Sequence, residues 1–185
     1  MNDAKNILIP LAPGFEEIEA LTVVDILRRA GALVVTAGLA AGPIEGRNGI
    51  RVLPDADLDD ITEEAFHMLV LPGGAKGTEN LKKDKRVIDI IKKFHGDNRL
   101  IAAICAAPTV LSAAGVTRGR KVASYPGVRH ELRDEIISHD RVVVDGSIIT
   151  SQSPGTAMEF AFALVEILYG KEKVKEINKS VLARI

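Results

Sequence analysis

The sequence predicts an α/β fold: a doubly wound, mostly parallel sheet with helices on both faces. Short runs rich in Val, Ile and Leu alternate along the chain with helical patterns, and several of these runs are apolar throughout instead of alternating. A strand reads that way when both of its faces are buried, as happens where crossover helices cover a parallel sheet. The length of 185 residues fits one domain spanning 1–185, with a core large enough to need neither disulfides nor metals.

Asn6–Leu11 opens the series as a strand, and Glu16–Ala30 follows as a helix with apolar residues at helical spacing. Leu33–Ala37 is the second strand. The glycine-rich stretch Gly42–Gly49 separates it from Ile50–Leu53, which predicts a hairpin. Met68–Leu71 and Leu100–Ile104 read as strands, with a helix at Arg86–His95 between them. Ala107–Ala114 is an Ala-rich helix, Lys121–Ala123 a strand and Val128–Ile137 a helix. Val142–Asp145, the turn Gly146-Ser147 and Ile148–Thr150 form a second hairpin, and Thr156–Tyr169 is a covering helix. In open α/β sheets ligands bind beyond the carboxyl ends of the strands. The functional suspects are therefore Pro13-Gly14, Pro72-Gly73-Gly74, Cys105-Ala106 and Ser151–Gly155.

The 24 basic and 25 acidic residues leave a net charge of -1, which argues against nucleic acid or an anionic membrane surface as the main partner. A small neutral or anionic molecule suits that balance better. No 18-residue apolar span and no signal-peptide layout is present, and the single cysteine cannot form an internal disulfide. These features predict a cytoplasmic protein in a reducing environment.

That cysteine, Cys105, stands where the run Leu100–Ile104 breaks into Ala106-Ala107-Pro108 and a helical segment. A strand that turns abruptly into a helix exposes the side chain at the turn and aims the first helical N–H groups at it, which favours a thiolate. Ala103-Ile104-Cys105-Ala106-Ala107 also has the small-x-nucleophile-x-small form of a nucleophile elbow. Free cysteine equally serves as a core filler, so the neighbouring residues decide between the two readings.

On a helical wheel at about 100° per residue, Glu17, Thr22, Asp25, Arg28 and Arg29 share one side of Glu16–Ala30. Glu19 falls on the opposite side, between Ile26 and Ala30, where a carboxylate loses hydration and the protonated form is favoured. A neutral carboxyl can donate a hydrogen bond to a nearby thiolate, which makes Glu19 the candidate partner of Cys105; a glutamate serving a buried backbone amide is the structural alternative. Glu16 sits in the first turn, where its charge complements the macrodipole and water is near. Ile18 and Leu21 lie on the polar side, where a second subunit of a homodimer would cover them.

Gly73 and Gly74 follow an apolar strand and let backbone N–H groups approach a ligand without a side chain in the way. With the N–H of Ala106 they would form an oxyanion pocket; a tight turn needing positive φ is the alternative. Ser151–Thr156 reads as a loop with a helix cap that walls the same pocket. His67, His95, His130 and His139 sit in charged or helical surface patterns, and His130-Glu131-Leu132-Arg133-Asp134 lacks the second histidine of a zinc helix. No metal and no cofactor is expected.

Taken in order, LAPGFEEIEA (11–20), VDILRRAG (24–31), LVLPGG (69–74), LIAAICAAPTVL (100–111) and TSQSPGTAMEFA (150–161) resemble the ThiJ/PfpI superfamily, specifically its parkinsonism-associated deglycase branch with the bacterial YajL-like members. The likeness runs nearly end to end. It implies a flavodoxin-like fold, a homodimer pairing through the first helix, and a cysteine that oxidises to a sulfinate stabilised by a glutamate. It matches Cys105 to that cysteine, Glu19 to that glutamate, Gly73, Gly74 and Ala106 to the backbone of the anion pocket, and Pro154 to its rim. The implied activities are glutathione-independent conversion of methylglyoxal to lactate, repair of early glycation adducts and holdase-type chaperoning, with small α-oxoaldehydes or glycated groups as substrates. Three departures narrow this. Tyr125 stands where some relatives place a histidine, and is left to close the pocket; Ala106 replaces the histidine that protease-like members carry after the cysteine; and Leu53 takes the place of a second cysteine, which leaves any peroxide response to Cys105 alone.

Overall fold

Residues 4–183 are described in a computed structural model. Strand β1 (Asn6–Leu11) occupies the middle of the sheet and sends alternate side chains to opposite faces. Ile7, Ile9 and Leu11 enter one apolar layer, while Leu8 enters the other. Around β1 the chain lays β2 (Leu33–Gly38), β6 (Met68–Leu71), β7 (Leu100–Ile104) and β11 (Ile148–Ser151) parallel to it, in the order β11-β7-β6-β1-β2. That is the 2-1-3-4-5 order of a flavodoxin-like sheet, as the sequence predicts. Two edge strands complete it. Beyond β2 lies the short parallel β5 (Ala56–Asp57), and beyond β11 the antiparallel β10 (Val142–Asp145), joined to β11 by the second hairpin.

Helices α1 (Glu17–Arg29) and α5 (Ala157–Tyr169) cover one face, packed against each other, with α6 (Lys171–Val181) lying on α5. The opposite face is covered by α2 (Ala75–Lys83), α3 (Lys85–Gly96) and α4 (Pro108–Ala113). The first hairpin forms from β3 (Ile44–Glu45) and β4 (Arg51–Val52), and its loop folds back over the start of α1.

Besides the two-residue β5, which the sequence does not mark as a strand, three elements differ from the sequence reading. The helix expected over Val128–Ile137 is a 3₁₀ turn at Pro126–Glu131 followed by β9 (Ile136–Ile137), which pairs in parallel with β8 (Lys121–Val122). Val128, Leu132 and Ile136 sit four residues apart and mimic a helical stripe, but the β-branched pair Ile136-Ile137 has a strand edge available, and Ser138 N–H donates to Val122 O at 2.8 Å. Helix α2 was hidden by Gly77, a poor helix former; the glycine is needed because a Cβ there would stand 2.8 Å from the backbone of Phe15. Helix α6 was hidden by its charge, which ion pairs such as Lys173–Glu176 (2.7 Å) and Lys175–Glu172 (2.8 Å) satisfy along its surface.

The chain order reverses between β1 and β6, so α1 and α2 leave toward opposite faces of the sheet while the turns that start them dock on each other at the carboxyl edge, with Glu16 N–H donating to Gly73 O at 3.0 Å. Gly74 caps α2 there with φ 90°, and a Cβ on it would stand 2.4 Å from the carbonyl oxygen of Gly14. Gly74→Ala is therefore expected to lower the unfolding free energy by about 2–4 kcal/mol, since positive φ and steric overlap add. Chemical denaturation measures this, and an unchanged midpoint would contradict the close docking of the two turns.

Candidate functional site

Cys105 occupies the turn from β7 to α4 with φ 65°, a left-handed conformation that a residue with a Cβ keeps only when its surroundings impose it. Here they do. Its N–H donates to Ser151 O at 3.0 Å, its carbonyl accepts Tyr125 N–H at 2.8 Å, and Ala107 N–H closes the turn onto Ile104 O at 3.0 Å. The small neighbours Ala103, Ala106 and Ala107 leave room for the bend. The residue is 8% exposed, and the backbone N–H groups of Gly74 and Ala106 lie by its sulfur, where they favour the charged form.

Glu19 comes to the same point from α1. It is 1% exposed, and its Oε2 accepts the Gly73 N–H at 2.8 Å. A Cβ on Gly73 would stand 2.5 Å from that oxygen and 2.7 Å from Cys105 Cβ, so glycine is what lets the two side chains meet. The thiol interacts with the carboxyl, short of the alignment of a regular hydrogen bond, and the buried Oε1 has no aligned partner among the described residues.

Burial pushes the Glu19 pKa from 4.5 up to about 7, against the nearby Cys105 thiol and the hydrogen bond from Gly73; the Glu16 carboxylate adds to the rise and Arg47 opposes it. Burial likewise pushes the Cys105 thiol up to about 12, with the charge of Glu19 adding to it and the Gly74 and Ala106 amides opposing it. The thiolate expected from the helix start is thus not favoured beside an ionised Glu19. Helix α4 has six residues, and its amides do not outweigh burial and a neighbouring negative charge. When Glu19 holds its proton, the repulsion vanishes and the carboxyl becomes a donor to the sulfur. The two groups therefore titrate as a coupled pair, in which the carboxyl gives up its proton first, near neutral pH, while the thiol keeps its own.

The other sequence candidates divide. Gly74 and Ala106 direct their amides at the sulfur, whereas the Gly73 amide is taken by Glu19. Tyr125 is tied to the elbow through its backbone; its ring is half-exposed and lies against Gly127. Pro154 begins a 3₁₀ turn (Pro154–Thr156) linked to the elbow through Thr156 Oγ1 and Ser151 Oγ, 2.7 Å apart. His67, His130 and His139 are exposed, but His95 is half-buried with its Nδ1 enclosed. Among the described residues no group of three His, Cys, Asp or Glu side chains is arranged to hold a metal.

Sequence reasoning placed Glu17 on an exposed face and Glu16 near water, yet both are buried. The loop between β3 and β4 covers them, with Asn48 N–H and Nδ2 each donating to Glu17 at 2.8 Å. No periodicity in α1 could reveal this, because the covering group comes from a segment about thirty residues away with no pattern of its own.

Residues 5–167 match the DJ-1/PfpI family. The chain is 42% identical over 182 residues to protein dj-1beta of Drosophila melanogaster, covering 97% of each. It is 36% identical over 178 residues to the glutathione-independent glyoxalase DJR-1.2 of Caenorhabditis elegans, covering 95% of each. The crystal structure of Drosophila melanogaster DJ-1beta superposes with a TM-score of 0.94 at 41% identity, over 97% of this chain and 98% of that one. Oxidised Toxoplasma gondii DJ-1 gives 0.93 at 35% identity, again over 97% and 98%.

A raised carboxyl pKa also appears in stability. Between pH 4.5 and about 7 native Glu19 retains a proton that the unfolded chain has lost, so its contribution is full below 4.5 and disappears as pH rises through 7. Glu19→Gln lacks that dependence. Its unfolding free energy relative to wild type is expected to climb across this window by an amount on the order of 3 kcal/mol. Urea titrations at a series of pH values measure the difference, and a constant offset would contradict the shift.

Proposed function

Since the chain belongs to the DJ-1/PfpI family, we propose that it is a cysteine-dependent enzyme of reactive carbonyls, a glutathione-independent glyoxalase that converts α-oxoaldehydes such as methylglyoxal to lactate. The observation that carries this reading is the meeting of Cys105, the raised Glu19 carboxyl and two backbone N–H groups at one sulfur. The glyoxalase among the relatives supports it.

In this mechanism the Cys105 sulfur attacks the aldehyde carbon as its proton passes to the Glu19 carboxylate. The amides of Gly74 and Ala106 receive the negative charge on oxygen, and Glu19 passes the proton on to that oxygen, which completes the hemithioacetal and restores the carboxylate. Glu19 then takes the proton from the former aldehyde carbon and returns it to the neighbouring carbon, while the hydroxyl proton moves across to the neighbouring oxygen, which converts the hemithioacetal into a thioester of the 2-hydroxy acid. Water cleaves the thioester, releasing lactate and the thiol. A carboxyl with a pKa near 7 suits both directions of that transfer. Tyr125 and Pro154 form the rim in this account. Deglycation of early glycation adducts uses the same attack on a larger carbonyl, and protection in oxidative stress follows from clearing such species. One domain over 1–185 carries the reaction, without a cofactor.

A second reading, a redox sensor or holdase chaperone governed by oxidation of Cys105, is supported by the same donors, which suit a sulfinate as well as an oxyanion. The oxidised Toxoplasma gondii relative favours it. No described helix is long and apolar enough to cross a membrane, and the activity is assigned to the cytoplasm. A homodimer through α1 is part of the proposal: Ile18 is 54% and Leu21 36% exposed, and Ile50, on the loop held by Glu17, extends the apolar surface.

Methylglyoxal loss and lactate formation are expected for wild type, with Cys105→Ser at background and Glu19→Gln reduced by about 100-fold or more, the scale of a removed general base. Turnover by Cys105→Ser equal to wild type would remove the enzyme reading. If Cys105-dependent turnover is absent but graded peroxide adds about 32 Da to the Cys105 peptide and switches on suppression of client aggregation, the sensor reading takes its place. Ile18→Glu with Leu21→Lys is expected to halve the mass seen in sedimentation equilibrium, and a monomeric wild type would contradict the dimer.

A further inference from the structure

Glu16 and Glu17 take no part in the chemistry above, yet both carboxyls are buried at the start of α1. The loop between β3 and β4 satisfies them. Glu17 accepts from Asn48, and a Cβ on Gly46 would stand 2.4 Å from Glu17 Oε1, so the loop closes directly onto that carboxylate. Two backbone bonds pin the loop to the β1–α1 turn: Arg47 N–H to Phe15 O at 2.9 Å and Gly14 N–H to Glu45 O at 2.8 Å. The loop so held brings the Arg47 guanidinium to Glu16, with Nη1 and Oε2 3.4 Å apart.

Glu16 is joined to the reactive pair through a single residue. Its N–H donates to Gly73 O at 3.0 Å, and Gly73 N–H donates to Glu19 Oε2 at 2.8 Å. We propose that Glu16 and Arg47 are a positioning pair that sets the proton balance of Glu19 and Cys105, with the Glu17–Asn48 clamp holding Arg47 in place. This rests on the reading of Cys105 and Glu19 as the reactive pair.

A buried negative charge beside Glu19 disfavours ionisation of the pair, and a positive charge on the far side of it favours ionisation. Burial sets the main part of the Glu19 shift, and among the charged side chains around it these two are the ones that act on it. The elbow contributes Cys105, and the β6–α2 turn contributes only backbone. Helix α5, packed along α1, buries Ala157, Phe160, Ala161 and Leu164, while its Glu159 is paired with Arg141 at 2.6 Å. Glu17 is engaged by amides of the loop. Lys76 is exposed on α2 and shares with Arg47 a recess of about 280 Å³.

The pH dependence of Cys105 alkylation by iodoacetamide tests the proposal without requiring carbonyl turnover. Glu16→Gln is expected to move the lowest inflection of the rate profile toward acid, Arg47→Gln toward base, each by roughly half a pH unit or more, and the double variant is expected to return toward wild type. Loosening of the loop alone would move both single variants in the same direction. Shifts of one sign, or no shifts in variants that retain the wild-type unfolding midpoint, would overturn the assignment. Opposite shifts uphold it even if methylglyoxal is not turned over. A wild-type Cys105 that is unreactive at every pH would remove the reactive pair and this proposal with it.

Discussion

A carboxyl group without water is the constraint around which this molecule is arranged. Glu19 stands on the apolar side of α1 with one firm hydrogen bond, from the Gly73 amide, and a sulfur as its other close polar neighbour. In such surroundings the charged form is the costly one, so the group keeps its proton to a higher pH than an ordinary glutamate. Much of the local backbone serves this meeting. Gly73 is bare because Glu19 and Cys105 fill the space of its side chain, and Gly74 is bare because the β1–α1 turn fills the space of its own. Cys105 is held in a left-handed conformation by bonds to Ser151 and Tyr125.

The sheet topology explains why residues so far apart in sequence come together. Glu19, Gly73-Gly74 and Cys105 follow β1, β6 and β7, three adjacent parallel strands whose carboxyl ends share one edge. The chain reverses its winding direction between the first two, which sends α1 and α2 to opposite faces and brings their first residues together at that edge. Alternate residues of β1 fill apolar layers on both sides of the sheet, so the edge that carries the pair is anchored from above and below.

Much of this was legible beforehand, for physical reasons that differ between elements. Strands buried on both faces announce themselves as unbroken apolar runs, and Glu19 announced itself as an acid on an apolar stripe. Cys105 was marked by its position at a strand end among small residues. Features created by distant segments were not legible. Glu17 reads as a surface residue until Asn48 is folded over it, and Ile136-Ile137 reads as helix until Lys121-Val122 offers an edge. The thiol illustrates a further limit: a helix start argues for a thiolate, but the sign depends on how deeply the sulfur is buried and on the charge beside it.

The most direct test of the account is to observe the proton on Glu19. Infrared difference spectra between wild type and Glu19→Gln, recorded from about pH 5 to about pH 9, report the carbonyl stretch of a protonated carboxyl and the S–H stretch of Cys105 together. A carboxylic acid band that persists to neutral pH and fades only as pH rises past about 7 is the predicted result. A Glu19 already ionised near pH 5, like a glutamate in water, would contradict the account at its root.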